Sequence, residues 1–251
     1  LVVLIDRASA SASEIFAAAI QDYKRGYVVG QRSFGKGTVQ NLIQLDRWSQ
    51  RPVDGQLTVT IGKFYRVTGE STQHRGVEPD IALPSPISLD DVGESSLEAA
   101  LPWDRIAGVP FQTLRQPASL PTAAKLSTDE GVRGQKDPDY KWLVSQVAAF
   151  DAERQQKTLS LNLDQRKAER ERLDGERLAR ENQRLGAQSK PLMKSNEEME
   201  QNSEKRPDIV LDQTAQILGD ILQSGPAAPP PAVARETPNN AARKPGTPAP
   251  N

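Results

Sequence analysis

The chain opens on five consecutive apolar residues, LVVLI. This short run, closed by Asp6-Arg7, predicts a strand over residues 1–5 covered on both faces. From Ser13 the apolar positions Ile15, Phe16, Ala19, Ile20 and Tyr23 recur at helical spacing while Gln21, Asp22 and Lys24 fall elsewhere, which predicts an amphipathic helix closed by Gly26. Tyr27-Val28-Val29 predicts a second buried strand, residues 30–37 a loop, and the alternation over 38–45 a third strand. Strand, helix and strand in that order make a βαβ unit, whose two strands pair in parallel. After a polar loop over 47–55, Leu57, Val59, Ile61 and Phe64 predict a further strand over 56–67, with its turn at Gly69-Glu70.

Past Gly76-Val77-Glu78-Pro79-Asp80-Ile81, the proline-rich LPSP marks the edge of this unit, and the composition shifts to helix formers and charge beyond a boundary near residue 88. Asp137-Pro138 is a good N-cap and first-turn pair for a helix whose face carries Tyr140, Leu143, Val144, Val147 and Phe150. Leu159, Leu161 and Leu163 alternate with polar residues and predict a small strand. Residues 164–185 are dense in arginine and glutamate, with Leu173, Leu178 and Leu185 among the few apolar positions, which predicts a solvated helix laced with ion pairs. Residues 197–206 read as a polar linker, and 208–222 as a last helix presenting Val210, Thr214, Ile217, Leu218 and Ile221. From Gly225 the chain is proline- and alanine-rich and predicts a disordered tail. The fold class is thus α/β, a partial core with a βαβ unit and mixed sheet, followed by a mainly α-helical region.

Composition agrees with an unpacked end: the hydrophobic share of the 251 residues is 36 %, below the roughly 45–50 % usual for a globular domain. The net charge is −1, from 32 basic and 33 acidic residues, and carries no electrostatic footprint for nucleic acid or anionic lipid. No apolar run approaches the roughly 20 residues of a spanning helix. The chain begins on leucine inside a strand-like run, so a fragment whose natural start lies upstream is expected, and the missing signal peptide says nothing about compartment.

The chemistry is narrowed by what is missing. There is no cysteine, and the one histidine, His74, sits in a polar turn where a surface role is expected. Serine–histidine catalysis and metal sites built on several histidines are thereby excluded. The remaining common way to activate a serine is a lysine held neutral by burial, against an ordinary pKa of about 10.4. Lys36, between Gly35 and Gly37, beside Phe34 and without a carboxylate next to it in sequence, suits that task, although an ordinary loop lysine has the same surroundings. Three serines compete as its partner, Ser9, Ser11 and Ser13. Ser11-Ala12-Ser13-Glu14 reads as a capping box, yet a serine at a strand-to-helix turn also exposes its hydroxyl beside N–H groups able to hold an oxyanion. GQRSFGK over 30–36 fits the first seven positions of a phosphate-binding loop, but Gly37 stands where a magnesium-binding serine or threonine belongs, and strand-like sequence follows instead of a helix.

SASASEIFAAAIQDY, VVGQRSFGKGTVQ, KFYRVTGESTQHRGVEPDI and LPWDRI, with the charged helices, together resemble the carboxyl-terminal processing peptidases, the tail-specific protease family of serine/lysine endopeptidases, over most of the chain. The resemblance implies Ser11 as nucleophile, Lys36 as general base, Gln40 as the residue orienting that lysine, the Ala12 N–H as an oxyanion donor, and Glu14 and Asp22 as supporting groups. It implies residues 1–88 as the C-terminal part of a catalytic core, 89–223 as a helical extension and 224–251 as the tail. It further implies no cofactor, a periplasmic location, protein or peptide substrates with apolar C-termini, and an envelope adaptor as a candidate partner. The family's PDZ domain and a second oxyanion glycine lie upstream of its serine, so residues 1–251 alone are expected to be inactive. Two other classes stay open beside this one, a nucleotide-binding loop and a non-catalytic helical interaction module.

Overall fold

The computed structural model describes residues 1–48, 55–117, 119–203 and 206–224. In chain order these form β1 (Val2–Ile5), α1 (Ala12–Asp22), β2 (Tyr27–Gly30), β3 (Thr38–Gln44), β4 (Gln56–Lys63), β5 (Ile81–Ala82), α2 (Ala123–Gly134), α3 (Pro138–Gln155), α4 (Leu163–Ala187), α5 (Asn196–Gln201) and α6 (Ile209–Ser224). Three strands make a parallel sheet in the order β1-β2-β5, with Val3 opposite Val28 and Val29 opposite Ile81. The right-handed crossover expected of a βαβ unit sets α1 against one face.

The pleat sorts the apolar run of β1 between two cores. Ile5 and Val28, with Val3 beside them, meet Ala17 and Ala18 of α1 together with Val77. Tyr27, Val29 and Ile81 point the other way, onto Leu83, Leu126 of α2, and Ile217 and Ile221 of α6. Helices far along the chain therefore cover the second face of the sheet. The Tyr27 hydroxyl ties this layer down by donating to the Pro121 carbonyl oxygen at 2.5 Å. Burial, with the charge of Asp80, raises the pKa of that phenol.

β3 and β4 form a separate antiparallel hairpin with a bulge between Val39 and Gln40, so among the described residues the strands divide into a parallel sheet and a hairpin in place of the expected mixed sheet. The helical region is held by charge as well as packing. Arg133 of α2 pairs with Asp220 of α6 at 2.7 Å, and Arg184 of α4 pairs with Asp139 of α3 at 2.6 Å. On α4, the Arg166–Glu169 and Arg172–Glu176 pairs at three- and four-residue spacing match the expected ion-pair pattern.

Several expectations are corrected. Leu159 and Leu161 belong to no strand; exposed and without a partner strand, they precede α4, which Asn162 caps by accepting from the Asp164 and Gln165 amides. The stretch taken as a polar linker begins with α5, capped by Ser195 and anchored by the fully buried Met199. Helix α1 ends at Asp22, and the chain reverses at Lys24, with φ 52°, before Gly26 is reached. β4 stops at Lys63 rather than Val67. β5 and α2 carry too few periodic residues to stand out in the sequence. The expected tail over 225–251 and most of the 47–55 loop lie outside the described residues. No helix among the described residues is long and apolar enough to cross a membrane.

Because α6 closes the sheet, Ile217→Ala is expected to cost about 2–5 kcal/mol and to move the unfolding of sheet and helices together. Urea titration followed by circular dichroism and tryptophan fluorescence checks this; two separated transitions would contradict it.

Candidate active site

The turn between β1 and α1 is built by Asp6. Its Oδ1 accepts from the Ala8 and Ser9 amides at 3.0 and 2.9 Å and from the Ser9 hydroxyl at 3.0 Å. Ser9 is thereby occupied as a turn residue, and its carbonyl oxygen accepts the Phe34 N–H at 2.9 Å. Ser13 lies exposed in the first turn of α1. Ser11 differs from both. It is the N-cap of α1 with φ 57° and ψ −113°, a region a non-glycine residue rarely adopts. Its side chain stands over the Glu14 amide as in a capping box, but that N–H is directed at the Ser11 carbonyl oxygen at 2.9 Å, so the hydroxyl forms no capping hydrogen bond. A serine on a strained strand-to-helix turn is the arrangement that presents a nucleophilic hydroxyl. Ala12, next to it, opens the helix, where first-turn N–H groups lack an intrahelical partner.

Beneath this turn lies Glu14, wholly buried. One oxygen, Oε2, accepts from both the Ser11 amide and the Lys36 amide at 2.8 Å. The other, Oε1, accepts from the Gly35 amide at 2.7 Å and the Ser33 hydroxyl at 2.6 Å. The same Ser33 oxygen accepts the Val77 N–H at 2.6 Å. A carboxylate left unpaired at this depth would be strongly unfavourable, and four donors offset that cost. The absence of a carboxylate beside Lys36 in sequence is thus corrected by the fold, which puts one on its backbone amide.

Lys36 is half-buried on the loop between β2 and β3. Gly35 has φ 94°, and a Cβ there would lie 2.9 Å from the His74 carbonyl carbon, while one on Gly37 would lie 2.7 Å from the Gln73 amide nitrogen. The flanking glycines therefore let the lysine loop lie flat on the turn at residues 71–74. His74 is half-buried in that turn with φ 63°, and its amide donates to the Gly35 carbonyl oxygen at 2.9 Å. Gln40 is exposed on β3, its Nε2 donating to Thr60 Oγ1 at 3.3 Å across the hairpin. Asp22 sits at the far end of α1, in a bidentate pair with Arg66 whose contacts are 3.0 and 2.5 Å, and so holds the helix against the chain after β4.

The loop runs into strand β3 and not into a helix, so it lacks the helix N-terminus that a phosphate-binding loop depends on. A cavity of about 390 Å³ opens at the ends of β1 and β2, lined by Leu4, Ser9, Gly30, Leu83, Ile87 and Val210; Ser11 and Lys36 do not line it. Sequence reasoning overlooked Ser33 and Gln73, both fully buried, and Arg7, also fully buried, whose guanidinium donates to the carbonyl oxygens of Ser33, Leu89 and Val92. Their only signal is a polar residue in a loop, which in most proteins is exposed.

Residues 1–83 match the model of peptidase family S41, and residues 87–223 match that of the C-terminal domain of tail specific protease. This chain belongs to the tail-specific protease family. It is 38 % identical over 226 residues to the tail-specific protease of Haemophilus influenzae, covering 88 % of this chain and 32 % of that protein. It is 42 % identical over 87 residues to the carboxy-terminal-processing protease of Bartonella bacilliformis, covering 35 % of this chain and 19 % of that relative. Among solved structures, the photosystem II D1 C-terminal processing protease is similar at 38 % identity and a TM-score of 0.29, over 33 % of this chain and 20 % of the other. The chain thus spans about a third, or less, of the length of these relatives.

Glu14→Gln puts an amide NH₂ against groups that are themselves donors. It is expected to lower stability by about 1–3 kcal/mol, read as a lowered urea midpoint with an unchanged denaturant slope. A midpoint equal to that of the unsubstituted chain would contradict the role given to this carboxylate.

Proposed function

We propose that this chain carries the nucleophile and base of a serine/lysine endopeptidase. The observation that supports this most is the Glu14 carboxylate, one oxygen of which accepts the amides of both Ser11 and Lys36, so that a strained serine turn and a glycine-flanked lysine share one anchor. Ser11 Oγ attacks the scissile carbonyl carbon while Lys36 Nζ, neutral at that moment, takes the hydroxyl proton. The tetrahedral oxyanion is held by the Ala12 N–H at the start of α1. The C–N bond then breaks as the lysine returns the proton to the leaving amine, leaving an acyl group on Ser11. Water, deprotonated by Lys36, hydrolyses that ester. In this reading Gln40 orients the lysine from β3, while Glu14 and Asp22 act on geometry alone.

The substrates are proteins and peptides recognised by exposed apolar C-termini, and the compartment is the bacterial periplasm, where an envelope adaptor is a candidate partner. The Haemophilus influenzae relative is named a tail-specific protease, which supports protein substrates. No step requires a cofactor. The reaction is assigned to the full-length protein, with residues 1–88 contributing the C-terminal part of the catalytic core and 89–223 the helical extension.

Ser11→Ala and Lys36→Ala in the full-length protein are each expected to lower kcat on fluorescein-labelled casein on the order of 10⁴-fold or more, with circular dichroism and thermal midpoint unchanged. Near-normal turnover by either variant would refute the assignment.

A further inference from the structure

The loop carrying Lys36 has its backbone almost fully accounted for. The Ser33 and Phe34 amides donate to the carbonyl oxygens of Val77 and Ser9, at 3.1 and 2.9 Å. The Gly35 and Lys36 amides donate to Glu14. The next amide, that of Gly37, donates to the side chain of Gln73, Oε1, at 2.9 Å. So the amide of the lysine rests on one buried side chain and the amide after it on another. Gln73 is oriented from beyond the loop: its Nε2 donates to Glu94 Oε1 and to the Leu101 carbonyl oxygen, both at 2.9 Å, which leaves its Oε1 to face Gly37.

Glu94 reaches the same loop a second time, its own amide donating to the Phe34 carbonyl oxygen at 3.0 Å. The turn bearing Glu94 is seated by Arg7, whose guanidinium bonds the Leu89 and Val92 carbonyl oxygens on one side and the Ser33 carbonyl oxygen on the other. Gly93 makes that seat possible, since at φ 139° a Cβ would lie 2.1 Å from Arg7 Nη2. Glu94 and Leu101 lie within the stretch that matches the C-terminal domain model, not the peptidase model.

We propose that Gln73 and Glu94 are positioning residues for Lys36, and that the first segment of the C-terminal region, residues 89–101, is thereby a working part of the active site. This rests on the serine/lysine reading. A base displaced by about 1 Å forfeits on the order of 10²-fold in rate, so a side-chain pair fixing the amide next to the lysine acts on catalysis without touching substrate.

The polarity of the pair gives the test. Gln73→Glu keeps the acceptor for Gly37 but turns a second carboxylate toward Glu94 and the Leu101 carbonyl oxygen. In the full-length protein, with active sites counted by fluorophosphonate titration and casein as substrate, kcat per titrated site is expected to fall about 10²-fold with KM changed little. Glu94→Gln, which still offers an amide oxygen to Gln73 Nε2 but loses the carboxylate, is expected to lower kcat per site by less than Gln73→Glu. The double variant Gln73→Glu/Glu94→Gln, in which the new amide donates to the new carboxylate, recovers about tenfold or more of the loss. A merely structural role would lower the titre of sites and the thermal midpoint while leaving kcat per site unchanged; that outcome, or a double variant no better than Gln73→Glu, overturns the proposal. Ser11→Ala measured in parallel separates the two claims. If it abolishes turnover while Gln73→Glu keeps its rate per site, the positioning role alone falls. If it retains turnover, the serine/lysine reading falls and the positioning role falls with it.

Discussion

Everything at the site depends on one buried carboxylate. Glu14 lies on the inner face of α1, where a charge has no water, and it is tolerated because the Ser11 turn and the lysine loop both aim donors at it. The dependence runs in both directions. The Ser11 turn keeps its strained backbone because its amide is held by Glu14, and Glu14 keeps its place because α1 is packed through Ala17 and Ala18 onto the sheet. The candidate site therefore inherits its rigidity from a helix docked on β1 and β2.

That docking needs the sheet to be closed on its other face. β1, β2 and β5 are short, and three short strands with one helix would leave Tyr27, Val29 and Ile81 in water. Leu126 of α2 and Ile217 and Ile221 of α6 supply the missing layer, although these helices lie far along the chain. The C-terminal region meets residues 1–88 at several places, among them this apolar contact and the polar seat that Arg7, Gly93 and Glu94 form under the lysine loop. Contacts of such different chemistry couple folding of the helical region to the geometry of the candidate site.

The parts legible in the sequence are those where a local pattern has one physical meaning. The LVVLI run and Tyr27-Val28-Val29 gave the two parallel strands because short branched apolar runs have that signature, whereas the α1 periodicity gave the helix but not its buried face, which is Glu14, Ala17 and Ala18, with Ile15 and Phe16 exposed. Asp137-Pro138 marked the start of α3 because a carboxylate cap and an N1 proline fit few other structures. The leucines around residue 161 misled because alternation without a partner strand has no stabilising face. Spacing left Ser9, Ser11 and Ser13 equivalent, and only the three-dimensional structure distinguishes them, the Ser9 hydroxyl bonded to Asp6 and Ser11 held at positive φ. Gln73, Glu94 and Arg7 were illegible for a related reason. Their partners lie tens of residues away, and a buried polar residue satisfied by distant backbone looks, in sequence, like any loop residue.

The central claim is that Ser11 is the nucleophile and that its reactivity depends on Lys36. The most direct measurement is to treat the full-length protein with a fluorophosphonate and locate the adduct by peptide mass spectrometry, beside a Lys36→Ala variant. The account predicts one adduct, on Ser11, that disappears when Lys36 is replaced. An adduct on Ser9 or Ser13, or labelling of Ser11 that persists at the same rate without Lys36, would contradict it.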